Sequence, residues 1–329
     1  MTETSEPAAR HRHGSRLRRT LLAAFVTVSV AVPVTGTARP AAVPAPVPAV
    51  LPPLPAVTPA ALDERYTVSR AAIRAAERTA AGHGDRLRAA ALRVMAAPER
   101  RFLSFDGREG GRAVEVFGDL SRAEWIAVLV PGADTDLDRY GLLRGGSMRL
   151  QRELGTRAAV VAWLGYRTPS TVSPQALTPA RADEAAPGLR VFVRALRTAR
   201  PAARVSLLCH SYGSVVCGRA SAGLDVANIV LYGSAGTTAD NAAGLRTRAA
   251  VWAGRGAGDW IAGVPHTRIR LPFAVIGFGA DPVSPEFGAR VFAAGDGGHS
   301  DYLRLGFPSL RNIARIVSGR LPAGEVRGA

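Results

Sequence analysis

The sequence predicts an α/β protein in which a mostly parallel central sheet carries helices on both faces and is preceded by a short helical N-terminal segment. Three observations lead there. Beyond Pro98, short apolar runs alternate with longer segments of helical texture. The runs are apolar throughout rather than at every second residue, as expected of parallel strands covered on both faces. Hydrophobic residues make up 47% of the 329 and are dispersed along the chain, so one sizeable core fits and disorder cannot describe the whole.

At the N-terminus, Arg10, Arg12, Arg16, Arg18 and Arg19 precede an apolar run from Thr20 to Val34, and Gly36-Thr37-Ala38 follows with the small residues that signal peptidase accepts. Residues 1–38 therefore read as an export signal, and the protein as secreted or associated with the cell envelope. The run is short for a membrane span, so cleavage is the expectation and an uncleaved anchor the alternative. Residues 39–59 are a Pro/Ala-rich linker whose prolines favour a stiff polyproline II spacer. Residues 60–98 read as two Ala- and Arg-rich helices broken at Gly82-His83-Gly84.

The main domain is expected over residues 99–321, with a disordered tail at 322–329. Its candidate strands are Arg101–Phe105, Ala113–Phe117, Trp125–Val130, Ala158–Trp163, Val205–Cys209, Asn228–Tyr232, Ala249–Ala253, Phe273–Ile276 and Ala289–Phe292. Helices are expected at Tyr140–Leu154, Ala182–Thr198, Gly213–Ala222 and Leu303–Val317.

The formal charge is +16, and all 42 basic residues are arginine. Lysine chemistry is thereby excluded, including Schiff bases, a Ser-Lys dyad and a P-loop. A basic surface suits an anionic cell-envelope surface, whereas nucleic acid is not expected, because no aromatic and basic interleaving or recognition-helix pattern accompanies the charge. The two cysteines, Cys209 and Cys217, flank one tight strand-to-helix turn. They are expected to be small buried residues, with a disulfide as the alternative. Neither supports a metal site, and none is expected.

The chemistry-bearing signal is Val205-Ser206-Leu207-Leu208-Cys209-His210-Ser211-Tyr212-Gly213-Ser214. An apolar strand runs straight into Ser211 and then into a small-residue helix, the arrangement that holds a nucleophile on a strained turn with its hydroxyl exposed. Gly213 fits the need for small residues around the turn, while Cys209 stands where that pattern has its first glycine. In this arrangement the acid and the base follow the nucleophile in that order, each after a later strand.

After Ser211 only His266 and His299 remain. His299, in Gly297-Gly298-His299-Ser300-Asp301-Tyr302, follows the last candidate strand and is the expected base. Asp259 follows a strand through the loop Gly254-Arg255-Gly256-Ala257-Gly258 and is the expected acid, with Asp281, before Pro282, as runner-up. Oxyanion donors are expected from the backbone N–H groups of Tyr212 and of Ala133, which follows the Pro131-Gly132 strand end. The segment Gly165–Thr178 reads as a substrate loop or lid, and Trp163, Tyr166, Tyr212 and Trp260 as candidates to line an apolar pocket.

These stretches, with Ala162-Trp163-Leu164-Gly165-Tyr166, Gly258-Asp259-Trp260-Ile261 and Phe287-Gly288-Ala289-Arg290-Val291-Phe292, resemble a secreted actinobacterial α/β-hydrolase family of unknown function with the His210-Ser211-Tyr212-Gly213-Ser214 type of nucleophile elbow. The resemblance spans roughly residues 125–302 and implies the α/β-hydrolase fold and the same triad. It implies no substrate. The expected function is a serine hydrolase acting on a small-molecule or lipid ester through an acyl-enzyme, with no cofactor needed. The alternatives are a non-catalytic wall- or lipid-binding protein on the same fold, and an acyltransferase using the same triad.

Overall fold

The computed structural model describes residues 44–52, 57–272 and 275–323. The export signal expected at residues 1–38 lies outside them. Two helices come first, α1 (Pro59–Gly82) and α2 (Arg86–Met95). Thr58 caps the first by accepting the Ala61 N–H, and Asp85 caps the second by accepting the Arg88 N–H at 2.9 Å. Ile73, Ala76, Leu92 and Met95 on these helices share a core cluster with Phe102, Phe105 and Leu164.

The rest alternates strand and helix: β1 (Phe102–Asp106), β2 (Arg112–Phe117), β3 (Trp125–Val130), α3 (Gly141–Leu154), β4 (Ala158–Leu164), α4 (Ala180–Ala199), β5 (Arg204–His210), α5 (Gly213–Ala220), β6 (Asn228–Tyr232), β7 (Ala250–Gly254), β8 (Ile269–Arg270), β9 (Val275–Ile276), β10 (Arg290–Val291) and α6 (Pro308–Val317). Eight strands form one sheet in the order β1-β2-β4-β3-β5-β6-β7-β10. Only β2 runs against its neighbours, β1 and β4; every other pairing is parallel. This is the α/β-hydrolase fold, and the doubly covered sheet explains why β3 and β4 are apolar throughout.

Side chains alternate across β3: Val128 and Val130 enter one core layer with Tyr212, Val215 and Ile261. Ala127 and Leu129 enter the other with Leu150, Tyr302, Leu303 and Leu310. In the parallel part, the loops after the strands gather at one sheet edge, and chemistry is expected there.

Two expectations need correction. Of Phe273–Ile276 the described residues are Val275–Ile276, and they pair with Ile269–Arg270 in a small hairpin outside the main sheet. Ile269 and Ile276 are exposed there, so apolar composition does not by itself mark a strand of the main sheet. Cys209 and Cys217 are joined in a disulfide with a Cα–Cα distance of 6.3 Å. The turn between strand and helix brings their Cα atoms within bridging range, which linear spacing does not show.

Candidate active site

Ser211 sits between β5 and α5 with φ +52°, the left-handed region that non-glycine residues seldom occupy. The strain is held by its surroundings. The Ser211 N–H donates to the Tyr232 carbonyl at 3.1 Å, the Ser214 hydroxyl donates to the Cys209 carbonyl at 3.1 Å, and the disulfide ties β5 to α5. Gly213 has no room for a side chain: a Cβ there would lie 2.4 Å from the Val130 carbonyl oxygen and 2.7 Å from that of Pro131. Gly132 is equally constrained, since its Cβ would lie 2.7 Å from Ser211 Cβ. The end of β3 and the elbow thus meet backbone to backbone.

His299 Nε2 lies 2.9 Å from Ser211 Oγ, and its Nδ1 lies 2.9 and 3.1 Å from the two carboxylate oxygens of Asp259. Asp259 follows β7 through the glycine-rich loop, and its Oδ1 accepts the Ile261 N–H at 2.9 Å while Oδ2 accepts the Tyr302 hydroxyl. Burial by itself raises the Asp259 pKa, but the hydrogen bonds from His299, Tyr302 and Ile261 outweigh it and hold the carboxyl below its ordinary value. An ionised carboxylate only accepts, so Nδ1 carries the imidazole proton and Nε2 is left to accept the Ser211 hydroxyl proton. Gly233, at φ +56°, completes the enclosure, because a Cβ there would approach Asp259 Oδ2 and Tyr302 Cε2 to 3.0 Å each.

The other expected residues fall as follows. Tyr212 and Ala133 line the cavity above Ser211, and neither backbone N–H donates to a partner among the described residues. Asp281 points elsewhere: it accepts from Arg255 at 2.6 Å and faces His266 at 3.6 Å. Trp260 and Tyr212 line the cavity, whereas Trp163 and Tyr166 stack on each other at 6.1 Å, buried in the core. Asp134 and Asp136 serve loop hydrogen bonds: Asp134 accepts from Thr171, and Asp136 from the N–H groups of Asp138 and Arg139 at 2.9 Å. Thr171, Ala176 and Leu177, from the expected substrate loop, border the cavity. No cluster of metal-ligating side chains occurs among the described residues.

Two contacting residues were not singled out for the site from the sequence. Tyr302 bonds both Asp259 and, as acceptor at 3.0 Å, the Gly256 N–H, joining the acid loop to the base loop. His210 Nε2 donates to the His299 carbonyl at 2.8 Å, and its ring packs between Tyr232 and His299. Desolvation, aided by neighbouring His299, lowers the His210 pKa to about 4. Tyr302 stands in the Gly-His-Ser-Asp-Tyr stretch quoted for the resemblance, and that was its available signal.

A strained serine, a histidine and a carboxylate in one hydrogen-bonded line at the carboxyl edge of this sheet define a hydrolase-type centre on an α/β-hydrolase fold. Residues 106–269 match the family model described as alpha/beta hydrolase. A search of curated proteins gives no match.

Among solved structures, the chain is similar to an a/b serine hydrolase without lid from Xanthomonas campestris, at 20% identity over 70% of this chain and 98% of that one, with a TM-score of 0.43. It is also similar to carboxyl esterase 2 from the fungus Tuber melanosporum (11% identity, 68% and 87% covered, TM-score 0.43). A third is esterase LipW from Mycobacterium marinum (15% identity, 74% and 88% covered, TM-score 0.39). These likenesses concern the fold.

Proposed function

We propose that this protein is a serine hydrolase that cleaves carboxylic esters through an acyl-enzyme at Ser211. The observation that carries the reading is the unbroken line from Ser211 Oγ to His299 Nε2, at 2.9 Å, and from Nδ1 to Asp259, on a serine held at positive φ.

His299 takes the Ser211 proton as Oγ attacks the ester carbonyl. Asp259 keeps the imidazole in the required tautomer and stabilises the imidazolium that forms. The N–H groups of Tyr212 and Ala133, without acceptors among the described residues, receive the oxyanion. His299 then returns the proton to the departing alcohol, and water, deprotonated by the same histidine, releases the acid. The cavity over Ser211 has a volume of about 610 Å³ and is mostly apolar in its lining, which suits an aliphatic acyl chain.

Export by residues 1–38 belongs to the same proposal. A disulfide at Cys209–Cys217 supports it, since such bonds persist in oxidising compartments.

The test is labelling of the protein with a fluorophosphonate probe followed by peptide mapping. Modification at Ser211, abolished by Ser211→Ala and accompanied by hydrolysis of nitrophenyl esters, is expected. A folded protein that neither labels nor turns over any ester is instead a binding protein on this fold.

A further inference from the structure

The cavity spans the carboxyl edge of the sheet and draws its walls from both core layers. On one side of Ser211 the wall is apolar, formed by Ala235, Ile261, Val264 and Phe278, which belong to or pack against the layer that holds Tyr212. The other side is bounded by α3 and by the segment after His299, with Leu143, Gly146 and Leu303 from the opposite layer and its margin. Two arginines belong to the lining, Arg149 on α3 and Arg139 just before that helix.

Arg149 is built into this wall. Its Nε donates to the Leu303 carbonyl at 2.6 Å, which fixes the guanidinium against the segment that carries the base and leaves its terminal nitrogens free of that bond. It forms no ion pair among the described residues, unlike Arg144 on the same helix, which faces Glu115 at 3.8 Å. The close fit of the wall is visible at Gly146, where a Cβ would lie 2.9 Å from Leu303 Cδ1. Besides the two arginines, the one charged residue in the lining among the described residues is Asp134, and it is already engaged by Thr171 and by Arg139 at 3.5 Å. The arginine side therefore carries net positive charge, with one fixed guanidinium that lacks a carboxylate.

Which half of an ester meets this wall follows from the mechanism. The departing alcohol must lie beside His299, which protonates it, and the arginine wall is continuous with Ser300 and Leu303, the residues that follow His299. Resting on the ester-hydrolase reading above, we infer that the preferred substrate is an ester whose alcohol half bears an anionic group, phosphate or carboxylate, and whose acyl half is a plain aliphatic chain. Arg149 is the specificity-determining residue, with Arg139 assisting from a more exposed position. A guanidinium presents a planar fork of donors that matches either anion.

The experiment compares kcat/KM for 1-octanoylglycerol, 1-octanoylglycerol 3-phosphate and the octanoyl ester of lactate, in wild type, Arg149→Gln and Arg152→Gln. Arg152 is exposed on the same helix and outside the lining, so its substitution removes the same charge without touching the wall. The phosphate ester is expected to exceed the neutral ester by about tenfold to a hundredfold, the range a charge-assisted hydrogen bond supplies. Arg149→Gln should collapse that ratio toward one, and Arg152→Gln should leave it in place.

A gain on both anionic esters assigns recognition of charge, and a gain on the phosphate alone assigns the phosphate; either supports the inference. Equal rates on all three, or a ratio that Arg149→Gln leaves intact, overturn it while the ester-hydrolase reading stands. Absence of both Ser211 labelling and turnover of every ester removes both. Should Arg149→Gln fail to fold, competitive inhibition of neutral-ester turnover by glycerol 3-phosphate in the wild type reads the same wall, and its absence counts against the inference.

Discussion

Replacing Asp259 by asparagine separates the acid from its rival. Three donors converge on the two Asp259 oxygens: the Ile261 N–H and His299 Nδ1 at 2.9 Å on Oδ1, and the Tyr302 hydroxyl on Oδ2, with Nδ1 also 3.1 Å away. An amide NH2 in the Oδ1 position would confront the Ile261 N–H, a backbone donor that cannot turn. In the Oδ2 position it meets a hydroxyl that can rotate to accept. The amide therefore settles with NH2 toward Tyr302, keeping one acceptor for Nδ1 but setting a second donor beside it and removing the negative charge opposite the imidazolium.

Loss of the triad carboxylate costs about 10⁴ in kcat where the wrong tautomer results. With one acceptor retained, the expected loss for Asp259→Asn is about 10³ to 10⁴, or about 4 to 5.5 kcal/mol of transition-state stabilisation. Asp281→Asn breaks a partly exposed pair with Arg255 at 2.6 Å, so it should cost at most about 1 kcal/mol of stability and leave kcat within about twofold. Steady-state hydrolysis of a nitrophenyl ester by both variants, with folding checked by circular dichroism, decides the matter. The assignment fails if Asp259→Asn retains more than about a tenth of wild-type kcat, or if Asp281→Asn loses as much.

Gly213→Ala should destabilise the protein by about 3 kcal/mol, because its Cβ would fall 2.4 Å from a backbone oxygen that only a shift of β3 or α5 can relieve. Denaturant midpoints test this, and an unchanged midpoint would refute the close approach. His210 gives a pH signature. Its folded pKa, about 4, lies below the ordinary 6.5, so the unfolded chain takes up the proton first as pH falls. Its contribution is complete above about pH 6.5 and lost progressively down to about pH 4, by about 3 kcal/mol. His210→Gln, which keeps a donor near the His299 carbonyl without titrating, should flatten the fall in urea stability between pH 7 and 4.5; an unaltered slope would count against the buried neutral imidazole.

The main sheet was legible in the sequence because a doubly covered strand is apolar at nearly every position, and β3, β4 and β6 begin at the expected residues. The candidate site was legible for a different reason: strand-end placement and chain order left few choices for each member, and the fold brings Ser211, Asp259 and His299 together. What escaped depends on contacts that linear order does not encode. Phe273–Ile276 has the composition of a strand, yet Val275 and Ile276 pair in a hairpin outside the main sheet. Trp163 and Tyr166 have the composition of a pocket wall but lie in the core. The disulfide depends on how sharply the chain turns at Ser211, and Tyr302 becomes visible only once the loops after β7 and β10 are seen to meet.

The contacts around the three site residues share a role. A left-handed serine costs on the order of 1–3 kcal/mol, and a buried aspartate beside a histidine is tolerable only while its oxygens are satisfied. The Tyr302 bridge to Asp259 and Gly256 and the His210 bond to the His299 carbonyl each fix one of the three loops to another, while the disulfide and the backbone contact at Gly213 brace the elbow itself. None of them needs to touch a substrate. Their combined effect is to set the Ser211–His299 separation before any substrate arrives, so the site does not depend on substrate binding to assemble it.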